Sequence, residues 1–356
     1  MKKLTQLIFI LSITALFTTQ SFAQKKVQWK LAMSWPKTLT PISTVPLRVS
    51  QLVKDLSHGK FTIKVHGKGI HKAPLGILDM VKNNFYEMGN TTSYYYKGQD
   101  IATALLTAAP FGLNSAEQYG WYYYGGGEAL TKKVFDKYGI DSYPAGNTGV
   151  QMGGWFKKEI NSLADLKDLK IRIPGIGGEV FSKLGTNVTS IPAGELYTSL
   201  DRGTIDAVEF INPGLDLKMG FHKIAPYYYT GWQEPSAEMQ FFVNQKAFAK
   251  LPKEYQLILK VAMKVATSEM NTAYFNANVE AWEQMKKEFP NIKIKTFPKD
   301  VLIAMKKASN EVLNKYSQQN AVFKEIYESQ KNYMKKARRW TEMSEYNYIS
   351  TTNSVK

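Results

Sequence analysis

The chain has 356 residues, 44% of them apolar, no cysteine and a formal charge of +16. That length is enough for two domains with real cores. The missing cysteines exclude disulfide staples, cysteine-based zinc sites, cysteine nucleophiles and a lipid-modified cysteine after a leader. The lysines are scattered and interleaved with acidic residues rather than gathered in a tract, so a solvated surface explains the charge and no nucleic-acid partner is expected.

In chain order, Lys2 and Lys3 precede an almost unbroken apolar run over 7–17, and Ser21-Phe22-Ala23 follows. This is the layout of a cleavable secretory signal, with cleavage expected after Ala23. Eleven residues fall well short of the ~20 needed to span a bilayer. An exported chain without an anchor is expected in a periplasm.

Alternation over 27–33 predicts a strand ended by Ser34-Trp35-Pro36, and a helix over 46–56 is expected with Val49, Leu52, Val53 and Leu56 on one face. A strand over 61–65, a helix through Ile77, Leu78, Val81 and Phe85, and a third strand entered from 86–89 complete a βαβαβ pattern, which argues for a parallel sheet. A second such unit starts near Gly149: strand 151–156, a capped turn at 162–166, strand 170–173, helix 177–184, strand 188–191, helix 194–202 and strand 206–211. Strand 239–244 is read as returning to the first unit. A long helix over 254–289 and a mostly helical stretch from 299 to 339 follow.

Catalytic patterns are missing. His58, His66, His71 and His222 show no metal-ligand spacing, and there is neither a nucleophile elbow nor a phosphate loop. Gly175-Ile176-Gly177-Gly178 lacks dinucleotide-loop spacing and reads as a tight turn into a helix. An exported lyase or hydrolase using Glu209 or Glu234 as base would lack a nucleophile or histidine partner. A purely adhesive or structural role would show no saturable binding.

Polar residues do stand at strand ends, where open α/β sheets place ligands. Arg172 ends the apolar strand Ile171-Arg172-Ile173 and offers a planar donor fork, for a ligand carboxylate or for an internal ion pair. Glu209 sits in Ala207-Val208-Glu209-Phe210-Ile211, where a buried carboxylate needs a cation, either an arginine or a metal. Gln151 and Glu234 would complete an oxygen-rich set suited to calcium or sodium. The aromatic clusters at 94–96, 121–124 and 227–229 are read as strand-like, so at most one or two rings of each can line a cleft, Tyr94 foremost.

Residues 151–244 resemble the solute-binding subunits of tripartite ATP-independent periplasmic (TRAP) transporters. The resemblance lies in Asn161-Ser162-Leu163-Ala164-Asp165-Leu166-Lys167, Lys170-Ile171-Arg172, Pro192-Ala193-Gly194-Glu195-Leu196-Tyr197 and Leu200-Asp201-Arg202-Gly203-Thr204-Ile205-Asp206-Ala207-Val208-Glu209. Asp168, where many members have glycine, departs from it. Ser34-Trp35-Pro36-Lys37, Thr92-Ser93-Tyr94-Tyr95-Tyr96, Gly149-Val150-Gln151-Met152-Gly153-Gly154-Trp155-Phe156 and Gly231-Trp232-Gln233-Glu234-Pro235 look like the branch that binds 2-oxo acids and lactate.

The resemblance implies an α/β, two-lobed periplasmic solute-binding fold with a hinge, a long bracing helix and a helical C-terminus. Its expected division is 1–23 as signal, 24–148 plus about 236–253 as one lobe, 149–235 plus about 290–320 as the other, 254–289 as the spanning helix and 321–356 as a tail. It further implies a small monocarboxylate bound with calcium or sodium: Arg172, Gln151, Tyr94 and Phe210 on the acid, and Glu209, Glu234, Gln151 and the Phe210 carbonyl on the ion. The solute would pass to a TRAP membrane permease driven by an ion gradient. A dicarboxylate or a larger amphipathic acid is the alternative ligand, and the charged C-terminal helices could pair with a second subunit.

Overall fold

The computed structural model describes residues 26–71 and 73–355, so the expected signal segment lies outside the described residues. Five strands form the first sheet: β1 (Val27–Met33), β2 (Phe61–His66), β3 (Met88–Thr91), β4 (Ile140–Asn147) and β10 (Glu238–Asn244), in the order β2-β1-β3-β10-β4. Six form the second: β5 (Gly154–Phe156), β6 (Lys170–Arg172), β7 (Asn187–Thr189), β8 (Ala207–Val208), β9 (Tyr227–Tyr229) and β11 (Lys293–Lys295), in the order β11-β9-β5-β8-β6-β7.

Both sheets are mixed rather than parallel. In the first, β1 pairs in parallel with β2 and β3, while β10 enters antiparallel between β3 and β4. All seven residues of β10 are buried, and its polar members are satisfied: Gln240 accepts from Ser93 N at 2.8 Å and donates to the Leu106 carbonyl at 3.1 Å. In the second, β6 is parallel to β7 and β8, whereas β5 runs antiparallel to β8 and β9. A βαβ pattern reports only local order along the chain; a strand that arrives from another unit takes whatever direction its connection allows.

The stretch 151–156 yields a strand only from Gly154, which sits at φ +112°, with Val208 O just 2.8 Å from where a Cβ would lie. Residues 151–153 are instead tied to three different segments: Gln151 N donates to Glu234 O at 3.0 Å, Met152 N to Ile211 O at 2.8 Å and Gly153 N to Tyr229 O, at the end of β9, at 2.7 Å. Gly231 packs so tightly against the Gln151 carbonyl that any side chain there would overlap it. The chain leaves the first sheet at this knot and returns through 230–237.

The helix Lys253–Glu288 crosses a third time. At 1.5 Å per residue its 36 residues reach roughly 54 Å, and it packs on the helix Thr44–Leu56 and β4 at one end and on the helix Pro213–Met219 at the other. The helical stretch expected from 299 to 339 is broken at Asn320, whose extended backbone ends the helix Lys299–Gln319 and whose side chain accepts from Phe323 N at 2.9 Å to start the helix Ala321–Thr341. An asparagine stop and N-cap in one residue carries no proline or glycine signal. The first of these helices packs on the helix Gly175–Lys183. The second is clamped to the helix Ser115–Tyr124 by Arg338, which donates to both Glu117 oxygens at 2.9 and 3.0 Å. No helix among the described residues is long and apolar enough to cross a membrane.

Candidate functional site

Arg172 is the last residue of β6, between two parallel neighbours, and its side chain is 1% exposed. Its Nη1 donates to the Glu209 carbonyl at 2.6 Å and lies 3.6 Å from Glu209 Oε2; its Nε donates to the Ile191 carbonyl at 3.3 Å. Glu209 follows β8, and its N–H donates to Arg172 O at 2.9 Å. The ladder that joins these two strands therefore sets arginine and glutamate side by side at the strand ends, where open α/β sheets place ligands.

A small, nearly filled cavity of about 10 Å³ adjoins this edge. Gln151, Arg172, Phe210 and Tyr94 all line it, together with an apolar wall that includes Trp35, Ile42 and Met239. The first-sheet side supplies Trp35, Tyr94 and Met239; the second supplies Arg172 and Phe210. The Arg172 guanidinium faces the Phe210 ring at 5.9 Å. Arg172 thus sits against the cavity and beside Glu209 at once, so both readings of its role describe the same place.

Glu209 and Glu234 stand just off the cavity lining. Gln151 N reaches the Glu234 carbonyl, and Gln233 Nε2 donates to Met152 O at 2.8 Å while lying 3.5 Å from Glu209 Oε1. Among the buried polar atoms without a hydrogen-bond partner in the described residues are three acceptors beside this edge, Gln151 Oε1, Glu209 Oε2 and Glu234 Oε2. An orphaned buried acceptor costs about 1–3 kcal/mol, more if charged. Three in one neighbourhood, two of them carboxylates, suit a hard cation. No group of three or more His, Asp or Glu side chains among the described residues could hold a metal by itself. Glu209 and Glu234 are only two carboxylates, with the Gln151 amide oxygen beside them.

The electrostatics agree. Burial first, then the neighbouring Glu234 charge, raises the Glu209 carboxyl well above its ordinary range despite Arg172. Burial pushes Glu234 up to about 8 against the same arginine. With one guanidinium for two carboxylates, the site is short of positive charge. Burial and the nearby Glu234 also hold the Tyr94 phenol protonated, a hydrogen-bond donor at any physiological pH.

Tyr94 does not lie in a strand. Residues Ser93–Tyr96 form a 3₁₀ turn, held by Gln240 and by Tyr94 N donating to Thr107 Oγ1 at 3.2 Å. Consecutive rings in such a turn are not on opposite faces, so Tyr94 and Tyr95 both line the cavity. The aromatic cluster at 121–124 is likewise helical, in Ser115–Tyr124, whereas Tyr227–Tyr229 is a strand. Gly175-Ile176-Gly177-Gly178 is the first turn of a helix, as expected.

Sequence reasoning missed Tyr95, Ile42, Met239, Gln233 and Thr148, whose Oγ1 accepts from Gln151 Nε2 at 3.1 Å. Gln233 could have been found as the polar neighbour of Glu234 in a buried turn. Ile42 and Met239 carry no local signal.

The model of the family described as bacterial extracellular solute-binding protein, family 7, matches residues 31–320. A monocarboxylate 2-oxoacid-binding periplasmic protein of Nostoc sp. is 40% identical over 329 residues, covering 92% of this chain and 90% of the relative. The crystal structure of a TRAP periplasmic solute-binding protein from Colwellia psychrerythraea with bound calcium and pyruvate is 49% identical, with a TM-score of 0.91 over 92% of this chain and 100% of that one. One from Pseudoalteromonas atlantica with bound sodium and pyruvate is 48% identical, with a TM-score of 0.90 over 92% and 99%.

Proposed function

The chain belongs to family 7 of the bacterial extracellular solute-binding proteins, and from that membership we propose that it captures a small 2-oxo or 2-hydroxy monocarboxylate, pyruvate or lactate in kind, together with a calcium or sodium ion. It is a binding protein of a transport system, not an enzyme. The observation that carries the ligand reading is the set of orphaned oxygens on Gln151, Glu209 and Glu234 beside a buried guanidinium.

Such an acid presents its carboxylate and its keto or hydroxyl oxygen side by side, so it can chelate a hard cation while a guanidinium holds the carboxylate. Arg172 would take the carboxylate and Tyr94 would donate a hydrogen bond. Gln151, Glu209, Glu234 and the Phe210 carbonyl would hold the ion, the two carboxylates supplying the charge that Arg172 alone does not balance. The narrow apolar wall favours a small acid over a dicarboxylate or a larger amphipathic one. Mass spectrometry of the acid and metal released from freshly purified protein tests this; release of a sugar, or of no acid and no ion after native purification, would refute it.

The solute is proposed to pass to a TRAP membrane permease, and the chain to be exported by a leader cleaved after Ala23. A second copy of the chain is the further partner proposed. The helical tail exposes Trp340, Met343, Tyr346, Tyr348 and Ile349, an apolar run far out of proportion to its lysine-rich neighbours. Light scattering after size exclusion is expected to give a dimer that Trp340→Glu with Ile349→Glu converts to monomer; an unaltered mass in that variant rejects the pairing.

A further inference from the structure

Tyr95 separates the ligand cavity from a second, larger chamber. A cleft of about 430 Å³ lies between the 94–101 segment of one lobe and the 173–190 segment of the other. The only residues it shares with the ligand cavity are Tyr94 and Tyr95. Their rings meet edge to face at 4.9 Å and 81°, so each steadies the other in the dividing wall.

The far side of that wall is largely apolar, with Ile101, Ile173, Pro174 and Val188 among its lining residues. An ion pair between Lys97 and Glu179 spans it, and Tyr316 donates to Glu179 Oε2 at 3.0 Å. This bridge joins the tyrosine turn to the helices Gly175–Lys183 and Lys299–Gln319 across a cleft that stays partly open to solvent, with Gly98, Thr189 and Ser190 exposed at its mouth.

The inference rests on the proposed 2-oxo acid ligand. If Arg172 and an ion fix the acid's oxygens, its side chain must lie against the uncharged part of the wall, where Ile42 and Met239 leave little depth. We propose that Tyr95 is the specificity-determining residue for acid length: its ring confines the ligand to short 2-oxo acids, and the apolar chamber behind it is a latent subsite for a longer side chain.

The test measures pyruvate and 4-methyl-2-oxopentanoate by calorimetry on the full mature chain with calcium present. Wild type is expected to favour pyruvate by about 10- to 200-fold, the range that an added alkyl group commands in a tight pocket. In Tyr95→Ala that ratio is expected to fall at least about 10-fold, through a gain in binding the longer acid. Thr189 lines the outer chamber alone. Thr189→Phe added to Tyr95→Ala is expected to restore the preference, which general loosening of the site would not produce. A ratio unmoved in Tyr95→Ala and in the milder Tyr95→Val, or a gain that Thr189→Phe does not reverse, overturns the proposal while leaving the 2-oxo acid reading standing. If wild type binds neither acid, both fall together.

Discussion

Alanine in place of Arg172 is expected to remove pyruvate binding from the calorimetrically accessible range. The guanidinium is 1% exposed and faces a carboxylate that is 0% exposed. Truncating one member of such a buried pair typically costs 2–5 kcal/mol, or about 30- to 5,000-fold in affinity, part of it the penalty of the stranded partner. The same change deletes the bonds to the Glu209 and Ile191 carbonyls that tie β6 to its surroundings, so the unliganded protein should melt at lower temperature as well. Arg172→Lys separates the two effects: it keeps a charge near Glu209 but cannot grip two carboxylate oxygens as a fork, so it should recover more stability than affinity. Pyruvate affinity within threefold of wild type in Arg172→Ala would remove this residue from the ligand site.

Ion binding should release protons and change how stability depends on pH. Without an ion, Glu234 is raised from 4.5 to about 8 and Glu209 is raised as well, so at pH 7 the folded protein holds protons that the unfolded chain has lost. The folded state then binds more protons than the unfolded state across the window from about 4.5 to about 8, and stability must fall as pH rises through it. The loss is on the order of a few kcal/mol by linkage. A bound cation favours the ionised carboxylates and should flatten that slope. Calcium affinity should accordingly climb from pH 6 to 8, with calorimetric heats that vary with buffer ionisation enthalpy.

Burial also pushes two other acids up into the same window, Asp216 to about 7 and Glu238 to about 8, and the Asp216 charge is itself one of those that raise Glu209. Asp216 is surrounded by donors from Trp155 and Tyr228, and Glu238 by Asn147 and Tyr119. They contribute a common background, so the informative quantity is the difference between melts with and without calcium at each pH. A slope identical in both series, with no proton release, would mean that Glu209 and Glu234 do not hold the ion. Exhaustive chelation, or sodium-free buffer if sodium is the resident ion, should weaken pyruvate binding sharply; unaltered binding would separate acid from ion.

Much of the site was legible because it breaks local rules. An arginine ending an apolar strand and a glutamate inside an apolar run are each costly to bury, so Arg172 and Glu209 stand out from the sequence alone. The resemblance then tied Gln151 and Glu234 to them. A strand at 94–96 would point Tyr95 away from Tyr94, yet the segment is a 3₁₀ turn and both rings line the cavity. The parallel sheets expected from the βαβ order were also corrected, since β5 and β10 both run antiparallel to their neighbours.

From the amino-acid sequence alone came the rhythm of strands and helices, the long bracing helix, and the residues whose chemistry is too costly to be idle. Those follow from periodicity and from the energetics of burying charge, which act over a few neighbouring residues. Only the tertiary structure decided that Arg172 answers Glu209 across a strand pair, that three acceptors are left without donors, and that Ile42 and Met239 wall a cavity with Tyr95. Those partners lie far apart along the chain, and nothing in the local pattern around any one of them encodes the backbone path that brings them together.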